Sequence, residues 1–268
     1  MATAKERSRP RCIICRDWIP PSPKSLQPTP AISTKRPIDP ALQSPRSRLR
    51  KGITVRVDIQ IMSDISSIIK ELSDHLDNLP EQSGRHVVAI AGAPASGKST
   101  LAERLASHLN RMGRAARVVP MDGFHLDNAI LERRGILDRK GSPDSFDSCG
   151  FLHLVKRLKK ETDVVYPIFD RSLDLSIAGA GHLDADCRTV IVEGNYLLYD
   201  APVWRDLANC WDLSVFVDVD PEILKSRLID RWLSFGLTPA QAIRRAEGND
   251  MPNARLIQQY RLPADLTL

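Results

Sequence analysis

Short apolar runs alternate with stretches of three-to-four periodicity along most of this chain. Val87 to Ala91, Ala116 to Val119, Val190 to Val192 and Leu213 to Val219 have the length and composition of strands, and none is long enough to span a membrane. Between and after them, apolar residues recur at helical spacing over Leu101 to Met112, Leu152 to Lys160, Pro221 to Phe235 and Pro239 to Glu247. Strands that are apolar on both faces, separated by helices, predict a mostly parallel sheet with helices on each side. No repeat of 20 to 50 residues is visible, so one α/β domain is expected.

The pattern also predicts where folded protein begins. Ser63 and Asp64 offer an N-cap to a helix whose apolar residues Ile65, Ile68, Ile69, Leu72 and Leu76 share one face until Pro80. Before that, residues 1 to about 52 hold nine of the 19 prolines and no apolar period. Such a segment cannot bury enough surface to offset the entropy of ordering it, so residues 1–61 are expected to be a disordered basic tail, with Met62 an alternative start. Charge follows the same division. Twelve Lys or Arg against three acids give Met1 to Gly52 a charge of +9, which leaves the rest of a chain of net charge +5 at −4. A mildly acidic body argues against a nucleic-acid-binding domain.

One motif supplies chemistry. Gly92-Ala93-Pro94-Ala95-Ser96-Gly97-Lys98-Ser99 fits G-x-x-x-x-G-K-[ST], with an apolar strand leading in and an amphipathic helix opening at Thr100 and Leu101. Free N–H groups at a helix N-terminus sit at the positive end of its dipole and can cradle phosphate oxygens, while glycine lets the backbone approach. Lys98 is placed to reach the β and γ phosphates of ATP and the Ser99 hydroxyl to ligate Mg²⁺. The N-K-x-D sequence of guanine readers is missing, and no motor or transporter signature accompanies the loop.

A second set of residues suggests an acceptor site. The strand Ala116 to Val119 leads into Met121-Asp122-Gly123-Phe124-His125, and residues just past the carboxyl ends of parallel strands line the ligand crevice. Asp122 can therefore face the phosphate loop and take a hydroxyl proton, or it can simply open a turn with Gly123. Met121 to Phe124, then Arg139-Lys140-Gly141-Ser142-Pro143-Asp144-Ser145-Phe146-Asp147, then Pro167-Ile168-Phe169-Asp170-Arg171, then Ile191-Val192-Glu193-Gly194, resemble in order and spacing the motifs of the pantothenate kinase, uridine kinase and phosphoribulokinase superfamily. Within it the sequence most resembles bacterial proteins labelled pantothenate kinase-like or fructose transport system kinase, from about Met62 to Leu268.

That resemblance implies a three-layer P-loop fold with a helical lid, Asp122 as base, Glu193 near the metal and Arg231 as a lid arginine, with Arg227 one turn earlier on the same helix face. It also implies an acceptor contact from Asn249, with Asn253 an equal match, while His125, near Asp122 in the sequence, is either a polar contact to the acceptor or a packing and hydrogen-bonding residue. Arg171 stands where pantothenate kinase has a histidine, and can either hold an anionic or polyol group or pair with Asp174. Arg139 and Lys140 can close over phosphate or acceptor, or form a basic loop.

The expectation is thus a kinase using ATP and Mg²⁺ on a small hydroxyl compound of the sugar, pantothenate or nucleoside kind, without nucleic-acid or membrane partners. A homodimer is compatible with the sequence. A regulatory ATPase acting through a protein partner is the alternative, since it needs the phosphate loop but not Asp122. Within enzymes, a nucleoside kinase should offer aromatic residues for stacking, and four Trp, four Tyr and six Phe are few. Five cysteines with no extracellular framework point to a reducing, cytoplasmic setting, and Cys12 and Cys15 read as unpaired tail thiols.

Overall fold

The computed structural model describes residues 54–268. In chain order the elements are α1 (Thr54–Asp77), β1 (His86–Gly92), α2 (Lys98–Arg111), β2 (Ala116–Pro120), a 3₁₀ turn (Met121–Phe124), α3 (Asn128–Arg133) and α4 (Ser148–Lys160). They continue with β3 (Val164–Asp170), β4 (Leu175–Leu183), β5 (Thr189–Gly194), β6 (Leu213–Val217), α5 (Pro221–Ser234), α6 (Pro239–Arg245), α7 (Met251–Gln259) and β7 (Leu266–Thr267). Five strands form an all-parallel sheet in the order β2-β5-β1-β6-β7, and β3 and β4 form a separate antiparallel hairpin.

Side chains of a strand alternate between faces, and here both faces are buried. Val87, Ala89 and Ala91 of β1 pack with Phe151, Val155 and Leu158 of α4 on one side. Val88 and Ile90 pack with Leu72 of α1 and with Leu105 and Leu109 of α2 on the other. That double burial is why the strands are continuous apolar runs, and a fully buried leucine of this kind contributes about 1.5–3 kcal/mol. A third cluster joins Ala93 of the loop after β1 to Leu224, Leu228, Ala246, Met251 and Ala254, seating the helices after β6 over the carboxyl end of the sheet. Local chemistry fixes their starts: Asp220 caps α5 by accepting from the Glu222 N–H at 2.8 Å, with Pro221 in the first turn, and Thr238 and Gln241 close a capping box on α6.

The expected three-layer arrangement with a helical lid forms, with differences at its edges. The first helix starts at Thr54, not at Ser63 and Asp64, because the backbone is already helical there and leaves no free N-terminus to cap. Residues 54–61 are therefore helical where a disordered tail was expected, while the rest of that tail, with Cys12 and Cys15, lies outside the described residues. Strand β6 ends at Val217, two residues short of the apolar run, and α6 stops at Arg245, where a π-helical turn (Ala246–Asp250) takes over. Among the described residues the cysteines Cys149, Cys187 and Cys210 are free thiols, and no helix is long and apolar enough to cross a membrane.

Candidate active site

The register of the sheet assembles the site. Glu193 of β5 lies between Ile90 of β1 and Pro120 of β2, so the phosphate loop leaves β1 on one side of it and Asp122 follows β2 on the other. In the loop, Ala95 has φ 63° and Gly97 φ 96°, the left-handed conformation that glycine adopts without steric cost. A Cβ on Gly92 would lie 2.7 Å from Ser96 Oγ and 2.9 Å from the Val217 carbonyl, so only glycine lets the loop fold back on β6. Leu101 N–H bonds the Gly97 carbonyl at 3.0 Å, and the first-turn N–H groups ahead of it are donors with no helical partner. Ser96 is buried with its hydroxyl unpaired, and Thr100 is exposed. The sequence-predicted residues Gly92, Ala93, Pro94, Ala95, Ser96, Gly97, Lys98, Ser99 and Thr100 run without a break from the end of β1 into the first turn of α2, with Pro94 and Lys98 facing the cleft described below.

Ser99 Oγ donates to Glu193 Oε2 at 2.9 Å, which sets two hard oxygen donors side by side below the cradle. Burial raises the pKa of Glu193, opposed by the charge of Lys98. Burial likewise lowers that of Lys98, with Glu193 and Asp122 pulling the other way. Both groups are poorly solvated, and the opposite charge of each offsets part of that burial penalty for the other.

A cleft of about 140 Å³ opens beside Lys98, walled by Asp122, His125, Arg171 and Arg231 among others, and a second cavity of about 550 Å³ adjoins it across Phe169 and Trp232. Asp122 sits in the 3₁₀ turn after β2, its carboxylate 2.7 Å from the Arg171 guanidinium. The His125 ring packs at a tilt against Phe146, centroids 4.0 Å apart, and Phe169, 4.6 Å apart, and its Nδ1 donates to the Asp122 carbonyl at 2.8 Å. Burial lowers its pKa, so the neutral ring keeps Nε2 as an acceptor. The Arg231 guanidinium makes no hydrogen bond or ion pair among the described residues and lies 5.8 Å from the Trp232 ring, while Arg227 donates to the Ala95 and Ser96 carbonyls at 3.4 Å.

The segment from Arg139 to Asp147 is the floor that holds the Asp122 turn. Leu126 N–H bonds the Ser145 carbonyl and Asp147 N–H the Phe124 carbonyl, both at 2.9 Å, and Tyr196 Oη donates to the Gly141 carbonyl at 2.6 Å. Three expectations change here. Arg171 pairs with Asp122 and not with Asp174, because Lys140 reaches Asp174 at 2.8 Å and also donates to Asn128. Asn249 does not line the cleft: it is buried, and its amide donates to the Lys140 carbonyl at 2.9 Å, which pins the floor from below; Asn253 is buried beside it in α7. Arg139 is exposed and outside the cleft, so only Lys140 of that pair faces it.

The structure adds residues that the sequence did not single out. Asp250 lines the cleft, accepts from Trp232 Nε1 at 2.6 Å, and has its pKa raised by burial. Arg245 donates to the Asp138 and Lys140 carbonyls and lies over Trp232 at 5.3 Å. Asn195 lines the cleft with its Oδ1 buried and unpaired. Its position directly after Glu193-Gly194 was the available signal.

Comparison with known proteins places this geometry. The profile of the Phosphoribulokinase / Uridine kinase family matches residues 87–234. A protein of Schizosaccharomyces pombe described as a putative uridine kinase is 33% identical over 76% of this chain and 91% of its own length. The crystal structure of a "putative fructose transport system kinase" from Silicibacter sp. TM1040 superposes with a TM-score of 0.72 at 51% identity, over 76% of this chain and 98% of that one. The pantothenate kinase of Enterococcus faecalis is 33% identical over 54% of this chain, which spans about half (49%) of that relative. The chain belongs to the phosphoribulokinase/uridine kinase family and is a P-loop, ATP-dependent phosphotransferase that takes a hydroxyl group of a small molecule as acceptor.

Proposed function

We propose that Asp122 is the general base, that Lys98 and Arg231 carry the charge of the transferring phosphoryl group, and that the acceptor occupies the cleft between the phosphate loop and the β3–β4 hairpin. The observation that carries this reading is the position of Asp122: a carboxylate facing the same cleft as Lys98 and Arg231, on a turn braced by His125 and the Phe146 segment. A regulator that only binds and slowly hydrolyses ATP has no need for that placement.

Ser99 and Glu193 suit Mg²⁺, which takes few protein oxygens and completes its shell with phosphate and water. When bound there, the ion would offset the charge of the β and γ phosphates. Lys98 orients the γ phosphate, Asp122 accepts the proton of the acceptor hydroxyl, and Arg231, unpaired on the lid, meets the charge that develops on the equatorial oxygens. Closure of the α5–α7 lid would exclude water, which otherwise competes as acceptor.

The lining speaks to the acceptor. Lys98, Lys140, Arg171, Arg231 and Arg245 outnumber Asp122, Asp174 and Asp250 around the cleft. Its aromatic faces are taken: Lys140 lies 5.1 Å over Phe169, and Arg231 and Arg245 flank Trp232. That favours a compact polyhydroxyl compound over a nucleoside, whose base needs a free ring face. A coupled assay of ADP release against sugars, sugar acids, polyols, pantothenate and nucleosides tests the reading. Asp122→Asn should lower acceptor-dependent turnover roughly 10²-fold or more at unchanged ATP affinity. Wild-type turnover in that variant would remove Asp122 from the chemistry.

A further inference from the structure

Arg171 is the cation of this cleft whose partner is the proposed base itself. Its side chain is half exposed, against 22% for Asp122, and the pair closes at 2.7 Å. The backbone that carries it is fixed: Asp170 Oδ1 accepts from the Ser172 N–H at 2.8 Å and the Leu173 N–H at 3.1 Å, and Asp174, at the far side of the hairpin turn, is tied to Lys140. Asp174 is committed to Lys140 and Asn128, Asp250 to Trp232 and Arg245 to two carbonyls, while Lys98 and the unpaired Arg231 are assigned above to the phosphates. The guanidinium is therefore free to exchange partners at the end of a long side chain while its anchor stays in place.

We propose that Arg171 couples proton removal by Asp122 to acceptor occupancy: it holds the carboxylate while the cleft lacks an acceptor, and moves to a carboxylate or phosphate group on the acceptor when one binds. This rests on the kinase reading above and narrows its substrate class to anionic hydroxyl compounds. A carboxylate oxygen that accepts a guanidinium N–H has that lone pair engaged, so it is not free to take a proton from water. An anionic acceptor offers the planar guanidinium a two-point partner, and Asp122 Oδ2 is released as the hydroxyl arrives. The hydroxyl proton then passes to Asp122, the acceptor oxygen bonds to the γ phosphorus, and the bond to the bridging oxygen breaks with its electron pair leaving on ADP. Water without an anionic group does not draw Arg171 away.

Acceptor-free ATP hydrolysis reads the coupling directly. Arg171→Met should raise it about fivefold, corresponding to about 1 kcal/mol, the scale of an exposed ion pair. Adding Asp122→Asn should abolish the rise, and Arg171→Lys should hold the rate near wild type. Transfer is then compared within pairs, D-glycerate against glycerol, D-gluconate against sorbitol and fructose 6-phosphate against fructose. Wild type should prefer the anionic member by KM, and Arg171→Met should lose that preference with an unchanged melting temperature. Hydrolysis by Arg171→Met at or below the wild-type rate, a rise that survives Asp122→Asn, or equal use of neutral and anionic members would each overturn the proposal. Failure to phosphorylate any compound counts against the kinase reading, while the hydrolysis arm still decides the coupling.

Discussion

Gly123 is where the geometry of the base can be tested without touching the base. It follows Asp122 in the 3₁₀ turn, and the β3 strand crosses directly over it. A Cβ built on Gly123 would stand 2.1 Å from the Pro167 carbonyl oxygen, 2.7 Å from its carbon and 3.2 Å from the Ile168 nitrogen. All three are backbone atoms, so no side-chain rotation relieves the contact. Ordinary contact begins near 3.4 Å, so Gly123→Ala must part the turn and the strand by about 1.3 Å. Overpacking of this kind costs about 1–3 kcal/mol of stability. The same shift separates Asp122, on the turn, from Arg171, at the end of that strand, and a displacement near 1 Å in a catalytic group costs roughly 10²-fold in rate. Urea unfolding gives the first quantity and acceptor-dependent ADP release the second, with binding of a fluorescent ATP analogue as a check that the phosphate loop is intact. Gly248→Ala, where nothing lies within 4 Å of the added carbon, is the control and should stay within about 0.5 kcal/mol of wild type. A Gly123→Ala protein with wild-type stability and turnover would refute the argument that this close approach positions the base.

Two further outcomes follow from buried groups. Arg85, 5% exposed, donates to the backbone carbonyls of Leu158, Glu161, Thr162, Asp184 and Cys187, tying the end of α4 to the loop before β5. Arg85→Met leaves those carbonyls unpaired, at about 3 kcal/mol, and thermal unfolding should show a Tm lower by roughly 6–12 °C; a shift under about 2 °C would mean that water replaces the guanidinium. Burial holds the His125 pKa below its ordinary 6.5, against the charge and carbonyl of Asp122 and with Lys140 and Arg171 adding to the depression. The unfolded chain then binds a proton that the folded one refuses, so stability is intact above pH 6.5 and falls as the pH drops through it, by at most about 1.4 kcal/mol per pH unit. The loss of Tm between about pH 7.5 and 5.5 should be larger in wild type than in His125→Gln, and equal losses would place the acid sensitivity elsewhere.

Three of the elements that the sequence missed lack a strong local signal. Strand β4 carries Leu175, Ile177 and the small residues between Ala178 and Gly181, and most of its positions are exposed, so it lacks the buried alternation that marks a strand. It is held by pairing with β3, a partner no local pattern names. Strand β7 is two residues long and exists because it extends the sheet beside β6. Helix α7 continues directly from a π-helical turn without a side-chain N-cap, so Pro252 in its first turn is its one local start signal.

By itself the sequence determined the parts that rest on local rules. Apolar runs buried on two faces dictate the parallel sheet, and glycines at fixed spacing before a lysine and a helix dictate the phosphate loop. Asp122 and Glu193 followed because they stand at strand ends, where a parallel sheet opens its crevice. Pairings between long polar side chains were decided only by tertiary structure. Arg171 had Asp174 close by along the chain, yet the hairpin's position against the Asp122 turn gave Asp174 to the sequence-distant Lys140 and Asp122 to Arg171. Asn249 lies under the floor and not in the cleft because the π-helical turn directs it toward the Lys140 carbonyl. Flexible charged side chains take whichever partner the backbone brings within about 3 Å, and that distance is set by strands and turns far apart in the chain.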